Sequence, residues 1–361
     1  MPSAAESREA KRSRKSQKKR TFKNDFDMKY ALQPYRPELA RLWDETVEKV
    51  RQRSFLFLRR YMDYHSNRFR DRSLMVADAG GQMVALLPAC EHPKEARLVV
   101  SHAGLTYGGL LLTPQCRTAD ALEILSACRD HYAALGYTEW VCKPVPHIYH
   151  CYPAEEELYA LFRLGARLTA RGVSTAIRLA DAYPFSTLRQ RKVKKAQRLP
   201  GLRLAEGADR LADFWKLLRD VLQQRHGCDP VHSLPEMQLL ADRFPQQIRL
   251  FAALWPQAEG GETLLAGCWV FLCQRVAHVQ YIAASETACQ NGVLDWLFAQ
   301  LIAWLPTHCP AVEYLDFGIA TEQDGKWLNE GLIFQKEGFG GRAVCYDQYA
   351  LRLTPPSAQP Q

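Results

Sequence analysis

Four segments follow one another within residues 278–340: His278-Val-Gln-Tyr281-Ile-Ala-Ala-Ser285, Asn291-Gly292-Val-Leu-Asp295-Trp-Leu, Tyr314-Leu-Asp316-Phe317-Gly318 and Phe334-Gln-Lys336-Glu-Gly-Phe339-Gly340. The first and third are short, apolar and strand-like; the second opens an apolar helix behind a conformationally permissive Asn-Gly pair; the fourth is helical and ends in glycines. Upstream, Leu250-Phe-Ala-Ala-Leu and Leu264-Leu-Ala-Gly-Cys-Trp-Val-Phe read as a hairpin joined by a polar loop. The order is therefore hairpin, strand Val276 to Ser285, helix Gly292 to Trp304, strand Val312 to Ile319, helical stretch Leu328 to Gly341 and strand Val344 to Leu353.

The same order occurs once before. Leu74 to Leu87 alternates around Gly80-Gly81, the signature of a hairpin. A strand at Ser101 to Leu112, a helix at Ala119 to Ala134, a strand at Thr138 to Val145, a helical stretch at Leu158 to Ala166 and a strand at Gly172 to Leu179 follow. Arg163-Leu-Gly165 and Lys336-Glu-Gly338 are 173 residues apart, and Ile177-Arg178-Leu179 and Leu351-Arg352-Leu353 are 174 apart. A shared offset across several elements in one order points to tandem duplication of one α/β (α+β) unit, a mixed sheet flanked by helices. The expected boundaries are 25–180 and 202–353, with a connector at 181–201 and tails at 1–24 and 354–361.

The connector carries six cations in positions 189–198, then Pro200-Gly201 as a stop. A solvated helix anchored by Leu188 and Val193 is the plain reading, and the rim of an anion or acyl-donor site the sharper one. Leu211, Phe214, Trp215, Leu218 and Leu222 then mark the core face of a helix, and the polar segment from Gln223 to Glu236 reads as a surface loop.

Composition bounds the answer. The 361 residues are 47% hydrophobic and 24% charged, as in folded, water-soluble proteins. No apolar run is long enough to span a bilayer, and the charged N-terminus is unlike a signal peptide, so a cytoplasmic location is expected. Residues 1–20 hold eight Lys/Arg against two Glu, so +6 of the net +8 sits in a tail expected to be disordered, with contact to RNA or a membrane face open to it. The eleven cysteines include no C-x-x-C pair, and buried reduced thiols are expected rather than a zinc site.

The first half has three polar concentrations. Asp63-Tyr64-His65-Ser66-Asn67-Arg68-Phe69 precedes its hairpin; Ser101-His102-Ala-Gly104-Leu-Thr106-Tyr107-Gly108-Gly109 interrupts a strand with glycines that permit close backbone approach; and Lys143-Pro-Val-Pro-His147-Ile-Tyr149-His150 ends the paired strand. If the duplication holds, 101–109 and 143–150 face one cleft. His147 is then a candidate general base, and His65, Arg68, His102, Tyr107, Lys143, Tyr149 and His150 are candidate acceptor contacts. No carboxylate or thiolate spacing supports metal binding by His102, His147 and His150, and no metal is expected.

The repeated order resembles that of GNAT acyltransferases. Two such units joined by a cationic helix resemble the FemAB-like superfamily, on the strength of the Tyr314 to Gly318 and Lys336 to Gly340 segments and of Arg191, Lys194, Lys195 and Ala196 in the connector. The resemblance covers about residues 25–353. It implies that the strands Val276 to Ser285 and Val312 to Ile319 splay, freeing backbone N–H groups for a thioester carbonyl. It implies Asp316 as the proton acceptor, Lys336 as stabiliser of carbonyl charge, Tyr281, Asn329 and Phe339 as substrate contacts, and Gln290, Asn291 and Gly292 as the turn that holds a pyrophosphate. No Tyr lies between 315 and 345, so the tyrosine acid of many such enzymes has no counterpart there.

The implied function is transfer of an acyl group from acyl-CoA, as co-substrate, to an amine or hydroxyl of a small, glycan-linked or lipid-linked cell-envelope or polysaccharide precursor, at the inner face of the membrane if the acceptor is lipid-linked. Aminoacyl-tRNA is the alternative donor, disfavoured because 202–248 is too short and Pro-broken for the long helical arm that FemAB enzymes often carry. A non-catalytic protein that binds a glycan or lipid precursor is the alternative from another class.

Overall fold

The computed structural model describes residues 29–353; both expected tails lie outside them. The first half runs β1 (Tyr30–Pro34), α1 (Ala40–Val47), β2 (Leu74–Asp78), β3 (Met83–Leu87), β4 (Cys90–Glu91), β5 (Leu98–Val100), β6 (Leu111–Leu112), α2 (Thr118–Ala134), β7 (Glu139–Cys142), α3 (Glu156–Arg163) and β8 (Arg167–Arg178). After α4 (Thr187–Ala196) come β9 (Arg203–Glu206), α5 (Leu211–His226), α6 (Leu234–Arg243), β10 (Ile248–Pro256), β11 (Glu262–Cys273) and β12 (Val276–Ala284). The chain continues through α7 (Glu286–Asn291), α8 (Val293–His308), β13 (Tyr314–Ile319), β14 (Thr321–Glu322), β15 (Trp327–Leu328), α9 (Glu330–Glu337) and β16 (Arg342–Arg352).

Strands β1-β2-β3-β6 make a small sheet, β14 and β15 a hairpin, and the other ten one large mixed sheet in the order β4-β5-β7-β16-β8-β13-β12-β11-β10-β9. The large sheet crosses the boundary between the halves because they exchange their last strands. β8 pairs with β13 of the second half, and β16 inserts between β7 and β8. Accordingly Leu351 and Leu353 pack in the first-half core with Trp140 and Leu161, and Ile177 packs in the second-half core with Leu297 and Phe317.

Two expectations are corrected. Ser101 to Leu112 is not one strand: β5 joins the large sheet and β6 the small one, with an irregular segment between. The glycines are required there because other groups press on the backbone: a methyl on Gly104 would meet His65 Nε2 at 2.1 Å, and one on Gly109, whose φ is 79°, would meet Glu157 Oε2 at 2.3 Å. The other concerns the anchors of α4, most of whose residues are exposed as expected of a solvated helix. Leu188 is 42% exposed, whereas Arg189 is buried and donates to Asp295 of α8 at 2.6 Å, with Val193 and Ala196 in the second-half core. Breaking a buried pair of this kind leaves an uncompensated charge, so the connector is tied to the second half.

Candidate active site

β12 and β13 run parallel and pair at three positions only, Val276 with Tyr314, Ala277 with Leu315 and His278 with Asp316. Beyond that point β13 turns at Gly318, whose φ is 74°, and stays with β8, while β12 follows β11. The edge of β12 past His278 therefore has no strand partner, and its backbone groups face a cleft of about 470 Å³. This is the splay the resemblance implied. The remaining walls are Thr106, Tyr107, Lys143 and Pro144 from the first half, Tyr346 to Gln348 from β16, and Thr321 to Gly325 from the β14–β15 hairpin.

Behind the cleft lies Asp316, fully buried. Its Oδ1 accepts from Ser174 Oγ and, at 2.9 Å, from the Gly318 N–H; its Oδ2 accepts from the hydroxyls of Tyr346 and, at 2.6 Å, Tyr149, with His278 Nδ1 3.5 Å away. Burial by itself would raise the pKa of this carboxyl. The His278 ring, with the Ser174 and Tyr149 hydroxyls, outweighs that and holds it well below the usual carboxylate range. A carboxylate so fully hydrogen-bonded is a poor proton acceptor, so the role expected of Asp316 changes: it orients the groups around it.

His278 is the group so oriented. Its Nδ1 is 2.9 Å from the Tyr149 oxygen. The Tyr149 hydroxyl lies within hydrogen-bond reach of His278 Nδ1, Asp316 Oδ2 and the Tyr346 hydroxyl, and the imidazole ring lines the cleft. Burial raises the phenols of Tyr107, Tyr149 and Tyr346 well above their ordinary pKa, so all three keep their protons at neutral pH.

The other expected residues divide clearly. Tyr107 and Lys143 line the cleft; Lys143 donates to the carbonyls of Leu105 at 2.5 Å and His102 at 3.1 Å, and burial lowers its pKa to about 8. Lys336 is buried and clamps the β13 turn through the Gly318 and Ile319 carbonyls at 2.7 and 3.0 Å, with its pKa also lowered to about 8 by burial, so it supports the wall instead of facing it. His147 is exposed and is not one of the cleft residues. His150 is buried on the Val145 carbonyl at 2.8 Å, and the His65 and His102 rings stack 5.5 Å apart beneath the 101–109 segment. Arg68 pairs with Glu236 at 2.5 Å and Tyr281 with His232 at 2.5 Å; Asn329 caps α9 at 3.1 Å; Phe339 lies in an aromatic core with Phe298 and Phe317. None of these last residues reaches the cleft.

A second groove, about 330 Å³, continues along β12 at Ile282 to Ala284, between Lys192 of α4, Arg225 of α5 and Cys289 of α7. From Val279 to Ala284 is roughly 16 Å of strand, enough for an extended thioester arm. In the expected turn the Gln290 carbonyl accepts from Lys195 Nζ at 2.9 Å, the Asn291 side-chain amide donates to the Thr287 carbonyl at 3.0 Å, and the Gly292 N–H bonds back to the carbonyls of Ala288 and Cys289. Gly292 serves packing, since its φ is 73° and a methyl group there would meet the Lys192 carbonyl oxygen at 2.4 Å. Gly292→Ala is expected to lower the unfolding free energy by roughly 1–3 kcal/mol, read as a lower urea midpoint; an unchanged midpoint would show that α4 yields easily.

The corresponding edge in the first half is already occupied. Arg51 N donates to Leu112 O at 2.8 Å, Leu112 N to Gln52 Oε1 at 2.9 Å and Gln52 Nε2 to Leu110 O at 3.1 Å. With its backbone groups satisfied internally, that edge offers a ligand nothing.

Residues 187–325 match the family model of the acetyltransferase (GNAT) domain. No curated protein matches the chain by sequence. Among solved structures, FemX has a TM-score of 0.65 at 12% identity, covering 91% of this chain and 99% of its own. L-PGS from Bacillus licheniformis has 0.57 at 13% identity, covering 91% and 95%, and a tandem GNAT protein from the clavulanic acid biosynthesis pathway 0.51 at 12%, covering 91% and 100%. At these identities the likeness is one of fold.

Proposed function

Because residues 187–325 are a GNAT acetyltransferase domain, set in a tandem GNAT, FemAB-like fold, and the protein is a GNAT-type acyltransferase, we propose that its second half binds an acyl-CoA thioester and transfers the acyl group to an amine seated against the first half. The observation that carries this reading is the open edge of β12 meeting the cleft at His278, with the equivalent first-half edge closed. The thioester lies along β12, its phosphates toward Lys192 and Arg225 and its carbonyl at the unpaired backbone past His278. Backbone N–H donors there stabilise the tetrahedral oxyanion, each contributing on the order of 3 kcal/mol to the transition state. His278 Nε2 takes the proton of the attacking amine, and Tyr346, whose phenol is protonated and lines the cleft, returns one to the departing thiolate.

The acceptor remains that of an envelope or polysaccharide precursor, small, glycan-linked or lipid-linked. All eleven cysteines are free, which suits a reducing compartment. Among the described residues no helix is long and apolar enough to cross a membrane, and no group of His, Cys, Asp or Glu is clustered to hold a metal. Aminoacyl-tRNA is the second reading, favoured by the exposed cations of α4 beside the donor groove.

Thermal unfolding with acyl-CoA thioesters, free CoA and bulk tRNA discriminates these readings. A ligand at a hundred times its Kd adds about 2.7 kcal/mol, so a thioester donor raises Tm by several degrees. A salt-sensitive shift with tRNA and none with any CoA would transfer the donor role to tRNA.

A further inference from the structure

A second amine is built into the wall of the acyl-transfer cleft. Lys143 lines it together with Tyr107, His278 and Tyr346. Among the described residues no carboxylate pairs with the Lys143 ammonium; its polar contacts are the carbonyls of His102 and Leu105, at 3.1 and 2.5 Å. Those two residues do not line the cleft. A neutral amine has two N–H bonds and one lone pair. With both hydrogens given to the two carbonyls, the lone pair of the neutral amine is left without a hydrogen-bond donor among the described residues. Burial outweighs the nearby Cys90 thiol, itself pushed up to about 11 by burial, and favours the neutral form, the state in which an amine is a nucleophile.

We infer that when thioester is bound and no acceptor fills the cleft, Lys143 takes the acyl group itself and the resulting amide shuts off the acceptor side. The inference rests on the acyl-transfer reading above. The Nζ lone pair attacks the thioester carbonyl; a C–N bond forms, the C–S bond breaks, the nitrogen loses a proton to His278, and the thiolate leaves as the free thiol after taking that proton from the imidazolium. Nothing is oxidised or reduced. The product is an N-acyl-lysine that is uncharged, has one N–H for two carbonyl partners, and places the acyl group where an acceptor would sit. Self-acylation thus acts as a brake that engages when donor is plentiful and acceptor scarce.

The test is to incubate the full-length protein with acetyl-CoA alone and follow thiol release, intact mass and peptide mapping. One acetyl group per chain is expected, on the peptide that contains Lys143. Its rate should rise with pH as the amine deprotonates and fall roughly 10²-fold in His278→Ala. In Lys143→Arg that peptide should stay unmodified, and the wild-type map answers the question even if this variant folds poorly. Acetylation scattered over exposed lysines and indifferent to His278→Ala overturns the inference. So does an unmodified Lys143 in protein whose Tm acetyl-CoA raises, an outcome that leaves the acyl-transfer reading standing. If acetyl-CoA and the longer acyl-CoAs neither stabilise the protein nor modify it, that reading falls and the inference with it.

Discussion

His278→Ala is expected to reduce kcat/KM by roughly 10²–10⁴-fold, the range for loss of a positioned general base, while the protein stays folded. The side chain is 2.9 Å from the Tyr149 oxygen and 3.5 Å from Asp316, so its removal costs more than the roughly 1 kcal/mol of a single hydrogen bond. Asp316→Asn should also cut the rate, but it tests the mechanism less cleanly. The carboxylate accepts from Ser174, Tyr149, Tyr346 and the Gly318 N–H, and an amide NH₂ would point hydrogens at some of those donors. Its stability loss would therefore exceed that of His278→Ala, and activity must be compared at a temperature where both variants are folded. A rate in His278→Ala within a few fold of wild type would remove the imidazole from proton transfer and return the question to the substrate amine's own ionisation.

Acid should destabilise the protein well above the pH at which carboxylates titrate. Burial lowers the pKa of His150 and of His232 to about 4, and lowers those of His65 and His102 as well. The unfolded chain protonates these rings near pH 6.5, whereas the native rings at 150 and 232 resist until about pH 4. The unfolded state binds more protons throughout that window, and stability falls as pH falls through it. At about 1.4 kcal/mol per unit, His150 and His232 each contribute a loss on the order of 3 kcal/mol, a large fraction of what a typical domain has. Asp316 acts elsewhere: with its folded pKa depressed, its contribution is present above the usual carboxylate range and lost only on further acidification. Urea midpoints between pH 7 and 4 check this. His150→Gln, which can still donate to the Val145 carbonyl, should flatten the decline. A midpoint constant down to pH 4.5 would assign acid sensitivity to carboxylates instead.

Much of the site was readable before any coordinates because its scaffold is local. The pairing that ends at His278 and Asp316 lies within one strand-helix-strand unit, and the same unit places Gly318 at the turn where the strands part. That segments 101–109 and 143–150 share a cleft followed from the repeated order of elements, whereas the second half as its other wall did not. The roles of individual polar residues did not follow. Tyr346 stands one residue beyond the tyrosine-free stretch 315–345, and Ser174 and Tyr149 come from the other half of the chain; the convergence of Ser174 and Tyr346 on Asp316 depends on β8 and β16 changing places. Conversely, Phe339 and Asn329 sit in a motif beside the site, yet one fills the aromatic core and the other caps a helix. A motif specifies neighbours along the chain, whereas which face a side chain takes is set by what packs against it.

The amino-acid sequence by itself determined the mixed α/β class, the duplication, the element order and the cationic connector, because periodicity, turn residues and charge act over a few residues at a time. Only the tertiary structure decided that the halves exchange their last strands, that Arg51 and Gln52 seal one donor edge while the other stays open, and that His278 lines the cleft while Asp316 is buried behind it. Those outcomes depend on desolvation and on hydrogen bonds between residues more than fifty positions apart, and such contacts leave no local pattern to read.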